Sequence, residues 1–353
     1  MCRSDGRCSP EAFETVWEVG ETDRIVDFPV QYLRACDFRI EWGDGTAPEA
    51  HTSCPNELKH EYAEAGQYRV RITGVIDGWT MCDGLAIGIN NNANCRQSSC
   101  SNKLKEIASF GPVKMGRAVF SQCKTPIKMP LNDVPNAESL EYMDRYFDSA
   151  LVSGPIDHWD VSHALSFDRI FEKSDLKTSI VHWDTSNVRA MYGAFLSMKS
   201  DVDVSLWDVG NVVVMSSMFN GATSFNGDVS KWDTHSVVNM SSMFNGATKF
   251  NQNLSNWKTH NVWNMSGMFS GATSFNCDIS GWDVSGVRVI DKMFYGAKMF
   301  DQSLEKWDVR NTSSLYDFFK ESGISKENYC KTIQNLVFKE NKDKLGISFV
   351  CEP

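Results

Sequence analysis

The sequence contains no run of about 18 apolar residues, so no segment is expected to cross a bilayer as a helix. It carries no excess of positive charge. Lys and Arg number 35 against 45 Asp and Glu, a formal charge of −10, which argues against nucleic acid or an anionic membrane as the main partner. It holds no GxSxG, HExxH, P-loop or GxGxxG context, so no catalytic constellation and no cofactor are expected. No CxxC pair occurs among its 11 cysteines, which makes zinc a weak reading of them. Residues 1–10 lack an apolar core, so no signal peptide is visible there.

What the sequence does contain is a clock. Seven of its 11 tryptophans fall at Trp159, Trp183, Trp207, Trp232, Trp257, Trp282 and Trp307, spaced by 24 or 25 residues. Phe147, Phe171, Phe195, Phe219, Phe244, Phe269, Phe294 and Phe319 run in step with them. Three residues before each Trp stands an aliphatic residue (Ile156, Ile180, Val204, Val229, Leu254, Ile279, Leu304), and Val188, Val212, Val237, Val262 and Val287 stand five after it. Columns in such register mark an internal repeat. Within one repeat, Val212, Met215, Met218, Phe219 and Ala222 follow helical spacing, and Gly221, Gly246, Gly271 and Gly296 sit where a helix would end. The expected unit is therefore one short strand and one short helix. A unit that small cannot bury its own apolar face, so the array is expected to stack as an α/β solenoid, leucine-rich-repeat-like in plan. A propeller is excluded, because its blades need about 40 to 45 residues.

The first third is different. Phe38, Ile40 and Trp42 alternate up to a turn at Asp44-Gly45, and Tyr68, Val70 and Ile72 alternate after one at Ala65-Gly66, a pattern for a small all-β sandwich. The C-terminal stretch places Tyr329, Ile333, Leu336 and Val337 at helical spacing behind Ser325, a good N-cap. The expected layout is a Cys-rich sandwich over 1–100, the repeat array over 101–320 and a helical cap over 321–353.

These motifs carry a resemblance. The unit MSSMFNGATSFNGDVSKWDTHSVVN resembles the 25-residue repeat of the BspA-like leucine-rich-repeat surface proteins, the DUF285 family. The pairing of Trp42-Gly43-Asp44-Gly45 with His60, Tyr62, Gly66, Tyr68, Val70 and Ile72 resembles the PKD-type Ig-like domain. The resemblance implies a secreted or surface-anchored protein without enzymatic activity, used in adhesion or recognition.

Ten cysteines are candidates for disulfides in an oxidising compartment: Cys2, Cys8, Cys36, Cys54, Cys82, Cys95, Cys100, Cys123, Cys330 and Cys351, the last two as a staple on the terminal helix. Cys277, in the column of Gly227, Gln252 and Gln302, is expected to be an unpaired thiol. Sequons at Asn239, Asn253, Asn264 and Asn311 are glycosylation candidates and fit an extracellular or cell-surface location. The Trp and Phe columns, from Trp183 to Trp307 and from Phe219 to Phe294, are assigned to the core. Aspartates after Trp are assigned to capping the first turn of the helix that follows rather than to calcium, and the paired histidines to surface drift rather than to a metal. The exposed positions that vary between repeats, chiefly Lys231, His235, Asn256, His260 and Arg310, form the expected contact surface. The partner is then a protein or a glycan. The competing class is a structural subunit of a larger assembly, without a ligand of its own.

Overall fold

The computed structural model describes residues 11–30, 33–80, 83–87, 93–97, 102–116, 118–123, 125–334, 346 and 349–351. The chain forms two compact units: Met1–Ala164 with Ser174–Ser179, and Leu165–Lys173 with Ile180–Pro353.

The N-terminal unit contains the strands β1 (Ala12–Val19), β2 (Ile25–Asp27), β3 (Ala35–Glu41), β4 (Glu49–His51), β5 (Lys59–Glu61), β6 (Gly66–Trp79), β7 (Asp83–Ile87), β8 (Ala93–Gln97), β9 (Leu104–Ser109), β10 (Lys114–Met115), β11 (Leu151–Val152) and β12 (Asp175–Leu176). The main sheet runs β4-β3-β6-β1-β9, with β10 parallel to β6. The alternation that marked β3 and β6 becomes an antiparallel pair with Ile40 opposite Ile72. Phe13, Trp17, Ile40, Trp42, Val70, Ile72 and Trp79 are buried. The turn after Trp42 is fastened by Asp44. Its Oδ1 accepts from the Thr46 N–H and hydroxyl at 3.1 and 2.6 Å, and its Oδ2 lies 2.6 Å from His60 Nε2. The His60 ring stacks on Trp42 at 4.7 Å. Burial opposes ionisation of Asp44, but the hydrogen bonds from Thr46 and His60 outweigh it and lower its pKa to about 2.

The C-terminal unit corrects the expectation of an α/β solenoid with a strand and a helix per repeat. Among the described residues the α-helix is α1 (Lys326–Gln334), and the strands lie in the N-terminal unit, mostly in antiparallel pairs. The repeats are built from turns and joined by isolated parallel bridges, Ser166↔Ala190↔Val214↔Asn239↔Asn264↔Val289. The reason lies in the backbone. In the repeat around Phe219, alternate N–H groups close three-residue turns: Met218 to Met215 O, Asn220 to Ser217 O, Ala222 to Phe219 O, at 3.0–3.2 Å. The N–H groups between them leave the repeat. Met215 donates to Asn239 O, Ser217 to Ser241 O, Phe219 to Met243 O and Gly221 to Asn245 O, at 2.7–3.0 Å. A helix would need each of these donors for its own chain four residues back. Two left-handed residues per repeat prevent that, here Ser217 at φ 57° and Gly221 at φ 70°. Turns closing every third residue space the apolar side chains much as a helix would, which is why the pattern misled.

Inside, the columns behave as core. Phe171, Phe195, Phe219, Phe244, Phe269, Phe294 and Phe319 stack in sequence with centroids 5.2–5.9 Å apart. Trp183, Trp207, Trp232, Trp257, Trp282 and Trp307 are at most 4 % exposed. From Trp207 onward each indole N–H donates to the carbonyl of an aliphatic residue of the preceding repeat: Ile180, Val204, Val229, Leu254 and Ile279, at 2.9–3.1 Å. The indole thus fills volume and satisfies a buried carbonyl together. At the far end Ser325 Oγ accepts from the Asn328 N–H, and Thr332 Oγ1 from the Leu304 N–H, so α1 supplies partners to the last repeat.

Disulfides join Cys36 to Cys54 and Cys330 to Cys351. Cys123 is also disulfide-bonded, and Cys277 is a free, half-buried thiol. Cys2, Cys8, Cys82, Cys100 and the side chain of Cys95 lie outside the described residues.

Candidate binding face of the C-terminal unit

Each repeat turns sharply after its Trp, and in the repeats other than that of Trp257 an aspartate fixes that turn. Asp184, Asp208, Asp233, Asp283 and Asp308 each accept, through Oδ1, the N–H of the residue two further on, at 2.9–3.4 Å. These carboxylates cap turns, not helices. Hydrogen bonds from Ser186 and Ser285 hold Asp184 and Asp283 below the usual carboxylate range, and Arg310 does the same for Asp308. On the neighbouring loop an amide ladder runs from repeat to repeat. The Oδ1 atoms of Asn226, Asn251 and Asn276 accept, at 2.9 Å, the N–H of Asn251, Asn276 and Asp301. Both devices use local polar side chains to hold backbone that no helix or sheet satisfies.

These turns carry the variable positions. Lys231 and Asn256 line one open groove of about 590 Å³ together with Ser230, Trp232, Asp233 and Lys258. Lys258 Nζ lies 3.1 Å from Asp233 Oδ1, and His235 Nδ1 lies 3.2 Å from Asp233 Oδ2. The Lys258 ammonium is the main cause of the lowered Asp233 pKa. Lys231, His235 and Asn256 are thus gathered around one carboxylate and one ammonium. His260 is exposed in the column of His235. Arg310 belongs to a different pair, with its guanidinium on Asp308 at 2.5–3.1 Å. Lys258 is the residue that breaks the Asp column, expected from the spacing to relieve repulsion between Asp233 and Asp283, and its ammonium reaches Asp233.

A second groove of about 390 Å³ is lined by Asp201, Val202, Asp203, Ser205, Gly227 and Asp228. Among the described residues no group of three His, Cys, Asp or Glu side chains is placed to hold a metal ion. No helix there is long and apolar enough to cross a membrane. Of the sequons, Asn253 is exposed and Asn311 spends its Nδ2 on Ser285 O. Asn239 and Asn264 are half-buried members of the bridge ladder.

No curated protein and no solved structure matches the chain. The family described as "Mycoplasma protein of unknown function, DUF285" matches over residues 139–237 and 225–332. Together these segments span more than half of the sequence and contain the tryptophan clock from Trp159 to Trp307, so the chain belongs to the DUF285 family.

Proposed function

We propose that this protein is a non-enzymatic recognition or adhesion protein, exported to the cell surface or beyond, which binds a protein or glycan through the exposed turns of its C-terminal unit. The observation that carries the reading is the contrast between inside and outside. The Phe and Trp columns repeat with little change and are buried, while the position before Trp runs Leu206, Lys231, Asn256, Gly281 and Lys306. A scaffold with a constant interior and a chemically varied exterior suits recognition. The groove at Lys231, Asn256 and Lys258 offers hydrogen-bond donors and charge of both signs without a gathered catalytic set. The disulfides Cys36–Cys54 and Cys330–Cys351 support an oxidising compartment. The likeness of the repeat to BspA-like surface proteins, and of the WGDG segment to PKD-type domains, points the same way.

The test is capture. The immobilised, oxidised chain is presented with a glycan array and with surface-protein extracts, beside the double variant Lys231→Glu/Lys258→Glu. The reading expects a saturable ligand whose affinity falls about tenfold or more in the variant. Capture of nothing by either chain would favour a structural subunit. Non-reducing peptide mapping of chain purified from its own cells tests the compartment, and reduced Cys36 and Cys54 would contradict export.

A further inference from the structure

Ten of the eleven tryptophans are at most 4 % exposed, and Trp263 is 43 % exposed. It lies off the clock, one residue beyond the Val262 column. Its own column reads Arg189, Val213, Val238, Trp263, Arg288 and Ser313. Each of the last five donates its N–H to the carbonyl of the one before, at 2.8–3.0 Å. Their Cα atoms therefore follow one another at about the spacing of paired strands, ~4.8 Å. The result is a strip in which exposed Val213 and Trp263 flank half-buried Val238, with an exposed arginine at each end. Among the described residues no aromatic ring packs on Trp263.

The arginines give the strip its chemistry. The C-terminal unit has four. Arg169 is paired with Glu172 and Arg310 with Asp308, while Arg189 and Arg288 have no carboxylate within ion-pair distance among the described residues. The two free guanidiniums of a unit from an acidic chain thus stand in the column of its exposed indole. Leaving a Trp half in water forgoes burial that its ten counterparts obtain, and Trp and Arg are among the residue types enriched at binding hot spots. The backbone N–H groups from Val213 to Ser313 are already spent between repeats. An added peptide strand therefore finds no free ladder there, and recognition falls to side chains.

We infer that the Trp263–Arg288 strip is a binding site for an anionic polysaccharide, with the apolar face of one sugar ring on the Trp263 indole and its carboxylate or sulfate on the Arg288 guanidinium. The indole offers a flat apolar surface, and the guanidinium fork matches a planar or tetrahedral oxyanion about one inter-repeat step away. The inference deepens the recognition reading and rests on it. A net charge of −10 repels polyanions in general, so any such binding has to come from a local site.

The experiment titrates the full oxidised chain, by tryptophan emission and calorimetry, with polygalacturonate (carboxylate), dextran sulfate (sulfate), neutral dextran and polyglutamate. Saturable binding of one polyanionic sugar is expected, with dextran and polyglutamate at least about tenfold weaker. Trp263→Ala and Arg288→Ala should each weaken it about tenfold or more, with unchanged melting temperature because both side chains are exposed. Trp263→Phe should retain part of the affinity. Failure of both anionic polysaccharides to bind, equal binding by the alanine variants, or tighter binding of polyglutamate would overturn the site. A ligand lost in Lys231→Glu/Lys258→Glu but indifferent to Trp263→Ala would overturn this site while leaving the recognition reading in place.

Discussion

A single indole carries two tasks in this molecule. Trp257 is buried between repeats, and its N–H is the partner of Val229 O. Trp257→Phe removes the donor and part of the volume while keeping an aromatic ring. The Val229 carbonyl keeps the Trp232 N–H at 3.2 Å, so the loss is one hydrogen bond, about 0.5–1.5 kcal/mol, plus the vacated space, and the variant should lose about 1–3 kcal/mol in urea unfolding. At the same scale Asp44 makes the N-terminal unit sensitive to acid. Its pKa is lowered from 3.8 to about 2 by the Thr46 and His60 hydrogen bonds, against the opposing effect of burial. A depressed pKa contributes stability that is present above the unfolded value and is lost as pH falls toward the folded one. The window is therefore about pH 4 to pH 2. Asp44→Asn cannot titrate, so its melting temperature should fall less across that window than that of the native chain, whereas parallel profiles would refute the assignment. Both roles were half legible in the sequence. The Trp column announced burial and the WGDG segment announced a turn at Asp44, but a hydrogen bond across 28 residues leaves no trace in spacing.

The element that sequence reasoning got wrong is the segment from Val212 to Ala222. Its apolar spacing is compatible with a helix, and the structure is a chain of turns whose alternate donors bond to the next repeat. Periodicity reports which residues face inward, and it reported those correctly. It is silent on where each N–H finds its acceptor, and here that decides the conformation. The one sequence clue was the residue at the first left-handed position, which is Ser217, Ser242 and Lys292 in some repeats and Gly193 and Gly267 in others. Gly267 tests this. It has φ 60°, and a Cβ added there would meet Ser242 Oγ at an ordinary 3.5 Å, so any cost is conformational rather than steric. Gly267→Ala should cost about 1 kcal/mol, since an L-residue pays roughly 1–2 kcal/mol in the left-handed region. Gly281→Ala, in open space and without a left-handed φ, should be neutral or slightly stabilising. Urea midpoints of the two variants separate the effects, and far-UV circular dichroism of the native chain should show little helix.

Across the whole chain, layout and candidate surface were legible to different degrees. The switch from alternating β patterns to the 24- and 25-residue clock marked two kinds of architecture, and Cys330 with Cys351 was foreseen as a pair. The surface was harder, because exposed positions obey no period. Lys231, His235 and Asn256 turned out to share the surroundings of Asp233, Arg310 turned out to be held by Asp308, and Trp263 escaped notice because its column keeps no constant residue type. The central claim is that interior columns carry the stability and the variable turns carry recognition. The most direct measurement is a fivefold variant, Lys231→Ala, His235→Ala, Asn256→Ala, His260→Ala and Arg310→Ala, assayed for melting temperature and for affinity toward the captured ligand. Exposed substitutions usually stay within about 0.5 kcal/mol each and surface ion pairs are worth little, so melting should shift by no more than a few degrees while affinity falls about tenfold or more. Undiminished affinity, or a loss of stability as large as that of Trp257→Phe, would contradict the account.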